Sequence, residues 1–306
     1  MGISAAQKRT VRVTSDTGVK VRRFIDLLAT VVLWAMASSI ILLLAAFIAY
    51  LFYLGGHWLT WDFIFGLPKE TTAGGGIGPE IYNSFYILIL TLIFTIPIAL
   101  AAGIYLQEYE QPGIFRSIVQ FSAESLATVP SIVMGLFGLL IFVYYFHWGF
   151  SAIGGALTLT LLNLPALMRV TQEALSSVPD TLREASMGLG ATKWQTVLRT
   201  VLPSAIGRMT TGIVLIAGRI FGETAALIFT AGLSLSTNHP YQLQPFRPAE
   251  TLAIHLWYTH SESIVPDVDR IGNGSALVLL IMVLAFNILA RIGGSFLTKR
   301  FTGRSS

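Results

Sequence analysis

The chain has 306 residues, no cysteine, 54% hydrophobic side chains, only 12% charged ones and a net charge of +4. A soluble domain carries roughly 25% charged residues, so polar groups are too few here to cover a water-soluble globule, and a mean hydropathy of +0.68 points to lipid as the solvent. Composition excludes a disordered or collagenous chain and a cytosolic enzyme, and the missing cysteines exclude disulfides, thiolate zinc sites and iron–sulfur clusters.

A basic tail, residues 1–23, opens the chain with Lys8, Arg9, Arg12, Lys20, Arg22 and Arg23. Six apolar segments follow within 24–306: Phe24–Leu54, Ile81–Leu106, Ile118–Phe146, Phe150–Met168, Met209–Leu235 and Gly274–Leu297. Each can cross about 30 Å of hydrocarbon as a helix, which predicts an all-α polytopic membrane protein with six transmembrane helices. Leu27–Leu54 runs 28 residues without a charge, far beyond the roughly 7–15 apolar residues of a cleaved signal, so the first segment is expected to stay as an anchor. Lysine and arginine resist translocation. Sixteen of them fall on the side of the N-terminal tail, and only Lys69, Arg247 and Arg270 on the other. Both termini are therefore expected in the cytoplasm.

Two stretches between segments are long enough to carry function, 169–208 on the cytoplasmic side and the outer loop 236–273. Within the first, residues 179–203 read as two short helices joined by a glycine. Thr181 and Glu184 have capping-box spacing, and Gly190 suits a left-handed turn. Thr192 and Gln195 repeat the box, and Pro203 is expected to end the second helix. By geometry alone Glu184 reads as a helix cap; a helix–turn–helix also occurs in DNA readers, but that role is disfavoured by the mixed charges.

Charges inside the apolar segments are costly and mark function or packing. Arg219 and Glu223, four residues apart in the fifth segment, would share one helix face. They read either as a buried ion pair that fixes packing or as a station for an oxyanion, because a guanidinium offers two parallel donors. Glu124 is either a second partner for Arg219 or a hydrated interface residue. Arg169 and Glu173 repeat the four-residue spacing and read as an inner gate or as a solvated pair. His57, His147, His239, His255 and His260 fall in or near the outer loops with no three-ligand cluster visible, so an interfacial role is favoured over metal. No nucleophile elbow or metalloprotease helix is present.

The spacing Glu184-Ala185-Ser186, Gly190, then Leu202-Pro203 resembles the coupling motif of ABC importer permeases, with Ser186 in place of the second alanine and Thr200 in place of isoleucine. Other stretches resemble the permease of the phosphate-specific ABC importer, PstA type. These are Asn83-Ser84-Phe85, Gly103 to Tyr109, Val129-Pro130-Ser131-Ile132-Val133, and Gly222 to Leu227 followed by Phe229-Thr230-Ala231. Ala226 stands where that family often has proline.

The resemblance implies a type I ABC importer permease fold and a place in the bacterial inner membrane. It implies three kinds of partner: a second permease of PstC type, two ATPase subunits of PstB type and a periplasmic phosphate-binding protein of PstS type. ATP and magnesium would sit on the ATPase, with no cofactor on this chain, which has no P-loop of its own. Arg219, Glu223, Arg169 and Glu173 match positions that the family associates with the translocation path, and Glu184, Ala185, Gly190, Leu202 and Pro203 match its ATPase-coupling loop. The expected function is ATP-driven phosphate import. A permease for sulfate, molybdate or phosphonate and a proton-coupled secondary transporter are the alternatives.

Overall fold

The computed structural model describes residues 16–69, 72–234, 240–241, 243–261 and 266–302. Lys8, Arg9, Arg12, His239 and Arg304 lie outside the described residues. Two compact units make up the chain, Met1–Tyr53 and Leu54–Ser306. Helix α1 (Asp16–Gly55) supplies the described structure of the first unit. From Leu27 onward it is apolar on every face, as suits a helix solvated by lipid.

The second unit contains α2 (Trp61–Phe65), α3 (Gly78–Ile104), α4 (Ile114–Ala127), α5 (Ser131–Gly138), α6 (Ala152–Ser176), α7 (Asp180–Gly188), α8 (Lys193–Thr196), α9 (Leu202–Phe221), α10 (Ala225–Ile228), α11 (Leu252–Ser261) and α12 (Val268–Thr302). Among the described residues, five helical stretches are long and apolar enough to cross a bilayer, or six if the bent pair Ile114–Ala127 and Ser131–Tyr145 is one span. In lipid each backbone N–H and C=O must be satisfied within the protein, and the helices meet that demand.

Two segments depart from straight helices. The third was expected as one rod, Ile118–Phe146, but α4 and the stretch from α5 to Tyr145 meet at 100°. Pro130 causes the break: it has no N–H, and it pushes Val129 away from helical backbone angles. The fifth was expected as Met209–Leu235, but α9 closes at Phe221 on Gly222 and the chain turns through Glu223 and Thr224 into α10. Pro203 does not end a helix as expected. Val197–Val201 form a π-helical turn, whose longer-range bonding accommodates the N–H that proline lacks, so helix runs from Lys193 to Phe221.

The core lies where α3, α6 and α9 pack, around Leu88, Leu159, Leu162, Ile220 and Leu227. Small and hydroxylated residues let the backbones approach. The hydroxyls of Thr95 in α3 and Thr160 in α6 meet at 3.1 Å, and a side chain on Gly103 would strike Thr171 of α6. Likewise α5 lies against α10 backbone to backbone: a Cβ on Gly135 would sit 2.8 Å from Ala226 Cα and 3.0 Å from its carbonyl oxygen. Neither of those atoms can move aside as a side chain could.

Gly135→Val is therefore expected to destabilise the protein by about 1–3 kcal/mol through overpacking. Gly293→Ala, where an added Cβ meets nothing within 4 Å, should be neutral or slightly stabilising. Thermal or SDS-induced unfolding of the two variants in detergent checks the contrast.

Candidate functional site

A cavity of about 440 Å³ opens between α4 and α6 and the end of α3, lined in part by Gln107, Arg116, Glu124, Arg169, Gln172 and Glu173. Arg169 projects from the last turns of α6 and holds both acids: its Nη1 lies 3.5 Å from Glu124 Oε1, and its Nε donates to Glu173 Oε1 at 3.3 Å. All three side chains are about two-thirds exposed, so this is a hydrated pair worth at most about 1 kcal/mol. Either carboxylate can leave Arg169 at little cost. Arg116 sits at the same cavity and donates to Gln107 Oε1 at 3.4 Å.

Arg219 and Glu223 are placed differently. Because α9 ends at Phe221, they do not share a helix face, and among the described residues no ion pair joins them. Arg219 is exposed, and the Glu223 carboxylate instead accepts from the Ala226 N–H at 3.5 Å, across the first turn of α10. Glu124 pairs with Arg169 rather than Arg219. The structure thus groups Arg169, Glu173 and Glu124 in one cavity and leaves Arg219 and Glu223 outside its lining.

The 179–203 stretch forms a helical knob. Gly190 takes φ +90°, the left-handed conformation expected of it, and Thr192 and Gln195 form the reciprocal capping box. The Thr181 box does not form. Asp180 already lies in the helix, and Pro179 precedes it with no side-chain cap. Ser186, where the motif has alanine, bonds to Thr196 at 2.9 Å and ties α7 to the next helix. Glu184 and Ala185 are exposed beside Leu182, Met187, Leu189 and Trp194. Leu202 packs against Leu175, Val201 and their neighbours at the foot of α9, with Pro203 following it.

A buried ion pair that sequence reading missed fixes the knob to the membrane helices. Arg183 of α7 donates to both oxygens of Glu108, at 2.7 and 3.2 Å, from a site where the side chains are 15% and 6% exposed. Its other donors reach the Leu175 and Val178 carbonyls and Asp180. The hydrogen bond to Glu108 raises the Arg183 pKa despite its partial burial. Lys193 adds a second tie, with its ammonium 5.1 Å from the Tyr109 ring centre. Arg183 and Glu108 are 75 residues apart, and no local signal joins them.

A second cluster was also invisible in the sequence. Glu80 of α3, Glu250 and His255 of α11 come together in the interior, so His255 is not the isolated interfacial histidine expected. Its Nδ1 lies 3.0 Å from Glu250 Oε1. Burial lowers the His255 pKa, but that hydrogen bond and the two carboxylate charges outweigh it and raise the pKa overall.

The family described as "Binding-protein-dependent transport system inner membrane component" matches residues 95–303. A Bacillus subtilis (strain 168) protein, the probable ABC transporter permease protein YqgI, is 42% identical over 290 residues, covering 92% of this chain and 99% of that one. The phosphate transport system permease protein PstA of Yersinia pestis is 35% identical over 225 residues, 74% of each chain. Among solved structures, the fold is similar to a bacterial ABC transporter involved in import of the acidic polysaccharide alginate (TM-score 0.64, 16% identity, 90% of this chain and 98% of that one). It is also similar to the inward-facing MetNI methionine ABC transporter (TM-score 0.54, 17% identity, 74% and 94%).

Breaking the Glu108–Arg183 pair strands a buried charge. Glu108→Ala and Arg183→Ala should each cost about 3–5 kcal/mol, and the double substitution should cost less than their sum. Unfolding measurements on the three variants test this; additive losses would show that the two groups do not interact.

Proposed function

Because the chain belongs to the family of binding-protein-dependent transport system inner membrane components, we propose that it forms part of the translocation path of an ATP-driven importer of inorganic phosphate. The chain is an ABC importer permease subunit of the inner membrane. The phosphate reading is carried by its likeness to several phosphate transport permeases over about three quarters of its length. The chemistry agrees with it: Arg169 and Arg116 at one cavity, and Arg219 at the broken end of α9, offer forked donors suited to a tetrahedral oxyanion. Carboxylates beside Arg169 keep such an anion weakly held, as a conducting site requires.

Neighbouring subunits complete the machine. The charge asymmetry supports a cytoplasmic position for both termini and the knob, where the exposed apolar residues around Glu184 and Ala185 dock into an ATPase of PstB type that binds ATP and magnesium. A PstC-type permease supplies the other half of the pore, and a PstS-type binding protein delivers phosphate to the outer loop. ATPase closure pushes the knob, and the Glu108–Arg183 pair carries that movement into α3 while the continuous helix from α8 carries it into α9.

A second reading, transport of sulfate, molybdate or phosphonate, rests on the same guanidinium chemistry, which recognises charge and shape more than the central atom. In the assembled complex, Arg219→Gln should abolish phosphate uptake while assembly and basal ATP hydrolysis persist; unchanged uptake would remove Arg219 from the path. Competition by each oxyanion against labelled phosphate separates the two readings.

Glu184→Ala combined with Gly190→Val, which forces a β-branched residue into a left-handed turn, should release the ATPase from the membrane. Retention of a fully coupled assembly, measured by co-purification, would confine these residues to capping and turning.

A further inference from the structure

Glu80 and Glu250 are the two charged residues of this chain that are buried outright among the described residues, and they lie together. Glu80 occupies the first turn of α3 directly after Pro79, with no exposed surface and with no hydrogen-bond partner on either carboxylate oxygen. Glu250 lies on the strand of chain that leads into α11, and His255 on α11 itself. His255 Nδ1 is 3.0 Å from Glu250 Oε1 and 3.6 Å from Glu80 Oε1, and one donor atom from each of the three residues falls within a mutual 4.8 Å.

An isolated carboxylate moved out of water costs several kcal/mol unless something neutralises it. Here two carboxylates face one imidazole. Protonating the histidine balances only one of them and leaves the other to take up a proton of its own, whereas a dication balances both and leaves the imidazole neutral and free to ligate. Metal–ligand bonds of about 2.0–2.2 Å in a tetrahedron put neighbouring ligand atoms about 3.3–3.6 Å apart; the 3.6 Å from His255 Nδ1 to Glu80 Oε1 matches that spacing, and the 3.0 Å to Glu250 Oε1 would have to open slightly to admit the ion. The backbone around the ligands is already held in place. The Asn83 amide donates to the Glu250 carbonyl at 3.0 Å, the Leu252 N–H donates to Ser84 Oγ at 2.9 Å, and the Ser84 hydroxyl donates to the Glu80 carbonyl at 2.7 Å. Outer contacts of this kind orient metal ligands.

We propose that Glu80, Glu250 and His255 bind a divalent cation of the zinc type, which staples the α11 segment onto the first turn of α3. An imidazole nitrogen with two carboxylates selects zinc, cobalt or manganese over calcium and magnesium, which take shells built from oxygen alone. The site is separate from the cavity around Arg169 and does not depend on the identity of the transported anion.

The test uses the tag-free full chain, purified in detergent with its transport partners, stripped with chelator and then given Zn²⁺ or Co²⁺. The wild type should retain zinc stoichiometrically through gel filtration, show the visible absorption of tetrahedral cobalt, and melt at a higher temperature with zinc than without. Glu80→Gln, which keeps the shape of the side chain, and His255→Gln should each weaken retention by more than about tenfold and abolish the zinc-dependent rise in Tm. His260→Gln, whose ring Nδ1 lies 3.1 Å from the Leu256 carbonyl and which is no member of the cluster, serves as the control that keeps the metal. A wild-type protein that shows neither zinc retention nor a cobalt band, or variants that bind as the wild type does, would overturn the proposal and leave a proton-sharing cluster in its place.

Discussion

The guanidinium of Arg183 is the joint on which the cytoplasmic part of this structure depends. An arginine has five N–H donors in a rigid fork, and here they serve Glu108 twice, two carbonyls at the end of α6, and Asp180. One side chain therefore ties the end of α3, the end of α6 and the start of α7 to each other. It also reaches the Val178 carbonyl just past the end of α6, and adds a donor to the Leu175 carbonyl, which already accepts from the Val178 N–H. A lysine could not span the same five contacts from one point charge, so the position of the knob is a matter of geometry as much as of charge.

The bilayer imposes the second constraint. Irregular backbone is tolerated in hydrocarbon only where protein or a water-filled space receives its polar groups. The bend before Pro130 and the turn at Gly222–Thr224 are such places, and α5 and α10, the short helices that follow them, pack on one another through Gly135 and Ala226. Broken helices thus meet inside the bundle. This arrangement leaves Arg219 at the end of a helix instead of in the middle of one.

What could be read from the sequence was what is local. Apolar runs, the left-handed Gly190 and the Thr192–Gln195 box depend on neighbours within a few residues, and they appear in the structure as expected. The Val129–Pro130 step carried a signal for the bend that hydropathy alone overrode, because an apolar run looks continuous whether or not its axis is. The early end of α9 was hidden in the same way. Arg219 and Glu223 seemed a helical pair only because the segment was assumed to remain helical. Glu108 with Arg183, and Glu80 with Glu250 and His255, join residues 75 to about 170 positions apart, and only the packing of α3 against the later helices brings them together. The knob's Pro203 was misread for a related reason: a proline stops an α-helix, but a π-helical turn before it removes the conflict.

That turn has a mechanical meaning. Successive residues of an α-helix are rotated by about 100°, so the one extra residue that Val197–Val201 accommodates shifts the phase of everything that follows it. The azimuth at which α9 presents each of its faces is consequently decided some twenty residues upstream of Arg219, at the edge of the membrane. Winding or unwinding this short stretch would swivel the whole rod about its long axis without bending it. A chain built this way can turn Arg219 in the manner of a key, driven from its handle.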